Sequence, residues 1–304
     1  MSTGNAPTKT VSVVIPFFGR CDQLSSCLAA LEQQTVPRED REIIVVDNGS
    51  GLDLKELQAR HPDVHWMEER RPGSFAARNA AVKIATGEII AFTDSDCLPT
   101  PTWLENGIHA LKSGQATIVA GRVEYLAPES GELNIYEQFE EVFFLLNKQQ
   151  FLVEKLNVAA TANIFAFRSV FDRIGDFDMD LMQFADGDWT KRGVRMGEVL
   201  HYSHDALVHH PRRSTPLEIA RKVQRSAGDR IAMRKKQSGA FSAGMIMDLV
   251  QWSFIDPRSF VAIAVYTRRN HGQRMNALKF GVRMSLAATR EKFRVLFGGV
   301  AYRG

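Results

Sequence analysis

An apolar run ends abruptly in two carboxylates one residue apart: Ile89-Ile90-Ala91-Phe92 leads through Thr93 into Asp94-Ser95-Asp96. Hard oxygen donors at this spacing suit a divalent cation such as Mg²⁺ or Mn²⁺, and such a cation neutralises a diphosphate. Most Asp-x-Asp pairs are solvated loops. This one directly follows a segment with the composition of a buried central strand, and open α/β sheets bind ligands just outside the carboxyl ends of their strands. A second acidic stretch, Asp186-Gly187-Asp188-Trp189, has Arg192 six residues beyond Asp186, and Ala206-Leu207-Val208 runs into His209-His210.

The elements that would position these residues alternate. Val11 to Pro16 reads as a first strand, and Asp22 is placed to cap a helix whose Leu24, Cys27, Leu28 and Leu31 share one face. Ile43-Ile44-Val45-Val46 is a second buried strand delivering Asp47-Asn48-Gly49-Ser50 into a turn, and a short helix follows with Asp53 as cap. Pro72-Gly73-Ser74 starts a helix through Arg78 and Asn79 with Ala77, Ala81 and Ile84 inward; the strand bearing the aspartates comes next. Thr100-Pro101 begins a helix burying Leu104, Ile108 and Leu111. Thr117 to Val123 reads as a strand, Leu133 to Leu146 as an aromatic amphipathic helix crossing the edge of the site, and Ile164 to Phe167 as a further apolar segment. Strand and helix in alternation predict an α/β fold, a Rossmann-like, doubly wound, mostly parallel sheet with right-handed crossovers.

Composition excludes several classes. No apolar run approaches the ~18–20 residues of a membrane span. Met1 to Thr10 is polar and lacks a signal-peptide core. Cys21, Cys27 and Cys97 show no metal-type spacing and read as reduced thiols. No phosphate-loop Gly-Lys-Ser/Thr is present, which argues against an ATPase. Residues 212–304 carry 19 Lys/Arg against 5 Asp/Glu, a net of +14, leaving −11 on the preceding residues. A basic tail on an acidic body calls for an anionic partner.

The order Val-Ser-Val-Val-Ile-Pro, Ile-Val-Val-Asp-Asn-Gly-Ser, Gly-x-x-x-Ala-Arg-Asn, Phe-Thr-Asp-Ser-Asp and Asp-Gly-Asp-Trp-x-x-Arg resembles family 2 glycosyltransferases of the GT-A fold, over about residues 10–212. The resemblance implies a catalytic domain over 1–212 and a basic helical extension over 213–304. It implies an inverting, metal-dependent transferase of the hexosyltransferase class that moves a sugar from a nucleotide-diphosphate donor, UDP before GDP, to a saccharide or polyprenyl-linked acceptor in surface polysaccharide or glycolipid synthesis. Pro16, Phe17, Asp47 and Asn48 would hold base and ribose; Arg78, Asn79, Asp94 and Ser95 would lie at the donor. Asp96, with Asp94, would hold Mn²⁺ or Mg²⁺, and His210 matches a family histidine that can be a third ligand, His209 being the alternative. Aligning on Arg192 puts the catalytic base at Asp186, where Ala185 replaces the family's usual Glu; Asp188 is the alternative.

The tail has two readings. In Phe241 to Tyr266 and Ala277 to Phe297 apolar residues alternate with Arg and Lys, which suits helices lying on anionic lipid; Met275, Leu278, Val282 and Leu286 line one face, with Lys279 and Arg283 on another. Such a protein would be cytoplasmic, peripheral on the inner membrane face. Alternatively these helices pack on the catalytic domain or on a second copy in a homo-oligomer. Nucleic acid is disfavoured, because the tail has few aromatics between its charges. Rival readings of the whole chain are a non-catalytic scaffold with a degenerate site and a sugar nucleotidyltransferase; Phe17-Phe18-Gly19-Arg20 lacks the Gly-rich loop the latter carries.

Overall fold

The computed structural model describes residues 9–114, 116–128, 131–238, 246–247, 249, 263–268 and 270–299. The elements are β1 (Val11–Phe17), α1 (Cys21–Glu32), β2 (Arg41–Asp47), α2 (Lys55–Arg60), β3 (Val64–Glu68), α3 (Ser74–Ile84), β4 (Ile89–Thr93), β5 (Leu98–Pro99), α4 (Trp103–Lys112) and β6 (Ile118–Tyr125). They continue with α5 (Ile135–Phe143), α6 (Gln149–Leu156), β7 (Asn163–Phe167), α7 (Arg168–Ile174), α8 (Ala185–Arg195), β8 (Leu200–His210), α9 (Pro216–Ser238) and α10 (Arg274–Leu296). The chain divides into two compact units. The first holds residues up to 126 with 146–179 and 185–211; the second holds 127–145, 180–184 and everything from 212. The helix at α5 and the segment before α8 therefore belong to the second unit.

In the first unit, eight strands among the described residues form one sheet in the order β3-β2-β1-β4-β7-β6-β8-β5. Neighbours β1, β2, β3 and β4 are parallel, as are β6 and β8, whereas β7 runs against both β4 and β6 and β5 runs against β8. Every residue of β1 and β4 is buried, which is why both read as continuous apolar runs without alternation. Leu24, Cys27, Leu28 and Leu31 of α1 are fully buried against the sheet. Gly87 admits β4 alongside β1: a Cβ there would lie 2.6 Å from the Ser12 amide nitrogen.

Several local expectations are corrected. β1 continues through Pro16 to Phe17, because the missing Pro N–H costs nothing where the ladder is ending, and the Phe17 ring joins the core. Asp22 sits in the first turn of α1, paired with Arg20, and does not cap it. Ile84 is 50% exposed at the end of α3. α4 starts at Trp103, after a turn in which Trp103 N–H bonds the Thr100 carbonyl. The strand expected over 206–208 begins at Leu200. β3 escapes sequence reading because Val64-His65-Trp66-Met67-Glu68 is a half-buried edge strand.

In the second unit, Phe139, Ile219, Tyr266, Ala277, Phe280 and Met284 form an apolar core, and Asn134 caps α5 in a capping box with Glu137. On α10, Ala277, Phe280, Gly281, Met284 and Ala288 are buried, whereas Met275, Leu278 and Leu286 are exposed together with Lys279 and Arg283. Most of the stretch from Phe241 to Tyr266 lies outside the described residues. Among the described residues no helix is long and apolar enough to cross a membrane.

Candidate active site

β4 ends at Thr93, and the chain turns at once. The Cys97 N–H bonds the Asp94 carbonyl at 3.0 Å, so Asp94, Asp96 and Cys97 project from one tight turn. The antiparallel register pairs Thr93 with Asn163, which lays the residues just before β7 alongside those just after β4. Cys97 Sγ lies 3.9 Å from the Ala162 carbonyl, as that register requires. β8 closes the other side: its residue His209 pairs with Leu98 on β5, and His210 follows.

His210 brings an imidazole to the turn, with Nε2 3.6 Å from Asp96 Oδ1. Its Nδ1 is 2.6 Å from the Pro211 carbonyl oxygen, which can only accept, so Nδ1 donates there and Nε2 is the nitrogen turned to Asp96. One donor atom from each of Asp94, Asp96, Cys97 and His210 lies within 4.8 Å of the others. Two carboxylates and an imidazole with its outer nitrogen anchored fit a divalent cation. His209 is not in that group. Cys97 is, although no spacing rule marks it. Burial, then the charges of Asp94 and Asp96, push the Cys97 thiol well above its ordinary range. Cys27, whose Sγ is 3.6 Å from the Asp94 carbonyl, is pushed up by burial first and by Asp96 and Asp94 next.

Arg78 is 2% exposed and ion-pairs Asp94; its Nε is buried with no hydrogen-bond partner. Asn79 is buried, donating to the Phe177 carbonyl at 2.9 Å and accepting the Phe177 N–H at 3.0 Å. The Phe177 ring packs on Phe92 of β4 and on Trp189, and Trp189 stacks on Phe171 and donates to the Gly175 carbonyl at 2.8 Å. This aromatic chain ties α8 to β4. It explains the Trp of the Asp-Gly-Asp-Trp stretch, whose role the sequence alone does not reveal.

At the start of α8, Asp186 accepts the Thr161 N–H at 3.0 Å on Oδ2 and the Gly187 N–H at 2.8 Å on Oδ1. Thr161 stands beside Ala162, the contact of Cys97, so the Asp186 carboxylate is fixed next to the turn after β4. Asp188 points elsewhere in its bonding: Arg192 Nε donates to it at 2.9 Å, and the same guanidinium donates to the carbonyls of Ile174 and Asp176. In the second unit, the buried carboxylate of Asp229 accepts the N–H groups of Gln183 at 2.5 Å and Phe184 at 3.3 Å, fixing the residues that lead directly into α8.

At the parallel end of the sheet, Asp47 accepts from the Ser50 N–H at 2.8 Å and the Ser50 hydroxyl at 3.0 Å, holding the turn after β2. Asn48 donates to the Glu69 and Arg71 carbonyls and accepts the Gly73 N–H, joining that turn to the start of α3; Gly73, at φ 123°, takes a conformation open to glycine. Pro16 and Phe17 are buried within β1, and the residue that emerges is Phe18, 69% exposed, which sequence reasoning passed over.

The sequence model described as Glycosyl transferase family 2 matches residues 12–175, more than half of the chain. The chain belongs to glycosyltransferase family 2. Glycosyltransferase AglE of Haloferax volcanii is 34% identical over 208 residues, covering 67% of each protein. The pre-mycofactocin glycosyltransferase of Mycobacterium tuberculosis is 27% identical over 221 residues, 71% of this chain and 46% of its own length. Among solved structures, a mannosyltransferase from Pyrobaculum calidifontis, in complex with GDP-Man and Mn²⁺, is similar in fold with a TM-score of 0.61 over 95% of this chain and 87% of that one, at 19% identity. The family 2 sheet described above is thus a GT-A fold, and the protein is a glycosyltransferase.

Proposed function

We propose that this glycosyltransferase is inverting and metal-dependent, and that it transfers a sugar from a nucleoside-diphosphate donor bound at the turn after β4. The observation that carries the reading is the convergence of Asp94, Asp96 and His210 Nε2 on one point beside the buried Arg78. When bound there, Mn²⁺ or Mg²⁺ supplies charge stabilisation for the leaving diphosphate. Arg78 holds Asp94 in place and has an unused Nε–H for an anion. Asp47 and Asn48 shape the nucleoside end, with the backbone of Pro16 and Phe17 as its floor and Ser95 between the two aspartates; Asn79 acts by bracing Phe177.

Asp186 is the base in this reading. An acceptor hydroxyl is a poor nucleophile, and a carboxylate must take its proton as it attacks the anomeric carbon from the face opposite the diphosphate. Asp186 is held by the Thr161 and Gly187 N–H groups beside the turn after β4, whereas Asp188 pairs with Arg192.

The donor proposed first is a UDP-sugar, with GDP-mannose, the ligand of the Pyrobaculum calidifontis protein, as the second candidate. The acceptor is a saccharide or polyprenyl-linked saccharide. The exposed apolar residues of α10, flanked by Lys279, Arg283, Arg290 and Arg294, support a peripheral position on anionic lipid. The test is release of UDP or GDP from a panel of sugar nucleotides, with Mn²⁺, on presenting polyprenyl-linked acceptors in anionic and neutral vesicles. Acceptor-stimulated release from one donor supports the reading; release from none overturns it. Failure to float with anionic vesicles removes the membrane part alone.

A further inference from the structure

The cation centre contains a donor that the oxygen-and-imidazole description leaves out. Cys97 is fully buried, follows Asp96 directly, and is oriented by the same backbone bond, Cys97 N–H to Asp94 O, that forms the turn. Its Sγ is within 4.8 Å of donor atoms of Asp94, Asp96 and His210. The sulfur's hydrogen-bonding contact is a long one, 3.9 Å to the Ala162 carbonyl, so no strong bond holds it back from the centre. A carboxylate, an imidazole and a sulfur converging on one point make a mixed hard and soft set. Hard ions such as Mg²⁺ use only its oxygens, whereas sulfur and imidazole together suit Zn²⁺, Cd²⁺ and Co²⁺.

We propose that Cys97 is a soft ligand of this centre, so that thiophilic divalent ions bind through Asp94, Asp96, Cys97 and His210 in competition with Mn²⁺ or Mg²⁺. This rests on the reading of the Asp94/Asp96/His210 group as the cation site. Coordination exchanges the thiol proton, released to solvent, for the metal–sulfur bond. A four-coordinate ion saturated by protein side chains has no open position for a donor diphosphate, as in closed structural zinc sites. Zinc would therefore shut the same site that Mn²⁺ opens.

The test uses the full chain and metal ions alone. Co²⁺ is titrated in, and the near-ultraviolet thiolate-to-cobalt charge-transfer band is recorded; free Mn²⁺ is followed by electron paramagnetic resonance while Zn²⁺ is added. The expected results are a stoichiometric charge-transfer band, absent in Cys97→Ser and retained in Cys27→Ser. Displacement of Mn²⁺ by Zn²⁺ should need about tenfold or more Zn²⁺ in Cys97→Ser than in wild type, taking the scale on which a single supporting group changes metal affinity. Mn²⁺ bound with no charge-transfer band in the wild type overturns this inference and leaves the proposed function standing. A band that survives Cys97→Ser also overturns it. No binding of Mn²⁺ or Co²⁺ overturns both. The wild-type spectrum decides the matter even if Cys97→Ser does not fold.

Discussion

Replacing Asp186 by Asn separates chemistry from scaffolding. The carboxylate holds two backbone N–H groups, Thr161 on Oδ2 and Gly187 on Oδ1, and Asn offers one oxygen for the two. One N–H then faces an amide NH₂, and losing that bond costs about 1 kcal/mol at a half-buried position that water still reaches. On the usual scaling this is a fall of about 2–4 °C in midpoint. Loss of a general base costs about 10²–10⁴ in rate, or roughly 3–5 kcal/mol of barrier. The rate term is the larger by several-fold, so Asp186→Asn should be folded, should bind donor with unchanged affinity, and should be inactive to within about 1% of wild type. Donor turnover, calorimetric donor affinity and a thermal melt measured on one preparation read all three. In Asp188→Asn, which loosens only the half-exposed pair with Arg192, activity should stay within a few-fold. An active Asp186→Asn beside an inactive Asp188→Asn would refute the assignment. Loss of donor binding in Asp186→Asn would refute its role as a base.

Other consequences concern the frame. Asn163 accepts from the Trp103 indole and donates to the Arg122 and Ala206 carbonyls, each at 2.8 Å, so Asn163→Leu should lose about 3–5 kcal/mol in urea unfolding. Gly107→Ala improves helix propensity by about 1 kcal/mol, yet its Cβ would lie 2.2 Å from the Phe165 ring. Overpacking there should win, with a net loss of about 1–3 kcal/mol; a more stable variant would show the packing to be looser than described. The bond from Arg173 holds the Glu198 carboxyl below its ordinary 4.5. A depressed folded-state value means stability present above that pH and lost as pH falls through the folded value. Arg173→Ala should therefore flatten the acid side of the urea-midpoint profile and leave its alkaline side unchanged.

The alternating pattern and its apolar strands were legible because β1, β2 and β4 are central, buried on both faces and continuous in composition. Edge strand β3 and the antiparallel direction of β7 were not, since neither half-burial nor strand direction leaves a local signature. Asp94 and Asp96 could be picked out from the strand before them. Cys97 could not: its partners come from residue 210 and from the neighbouring carboxylates, and only the fold unites them. Trp189 and Asn79 sat in recognised motifs, but that one packs on Phe171 and Phe177 while the other braces Phe177 depends on tertiary contacts about 12 to 98 residues apart. Asp229 lies in a basic helix where an isolated acid reads as surface, yet it is fully buried.

The most direct test of the central claim is calorimetric titration of UDP and of GDP, with and without Mn²⁺, into wild type and Asp96→Ala. The account predicts that one nucleotide binds only with Mn²⁺, and that Asp96→Ala, whose carboxylate lies 3.6 Å from His210 Nε2, loses that binding while remaining folded. Binding of neither nucleotide, or binding indifferent to Mn²⁺ and to Asp96, would contradict it.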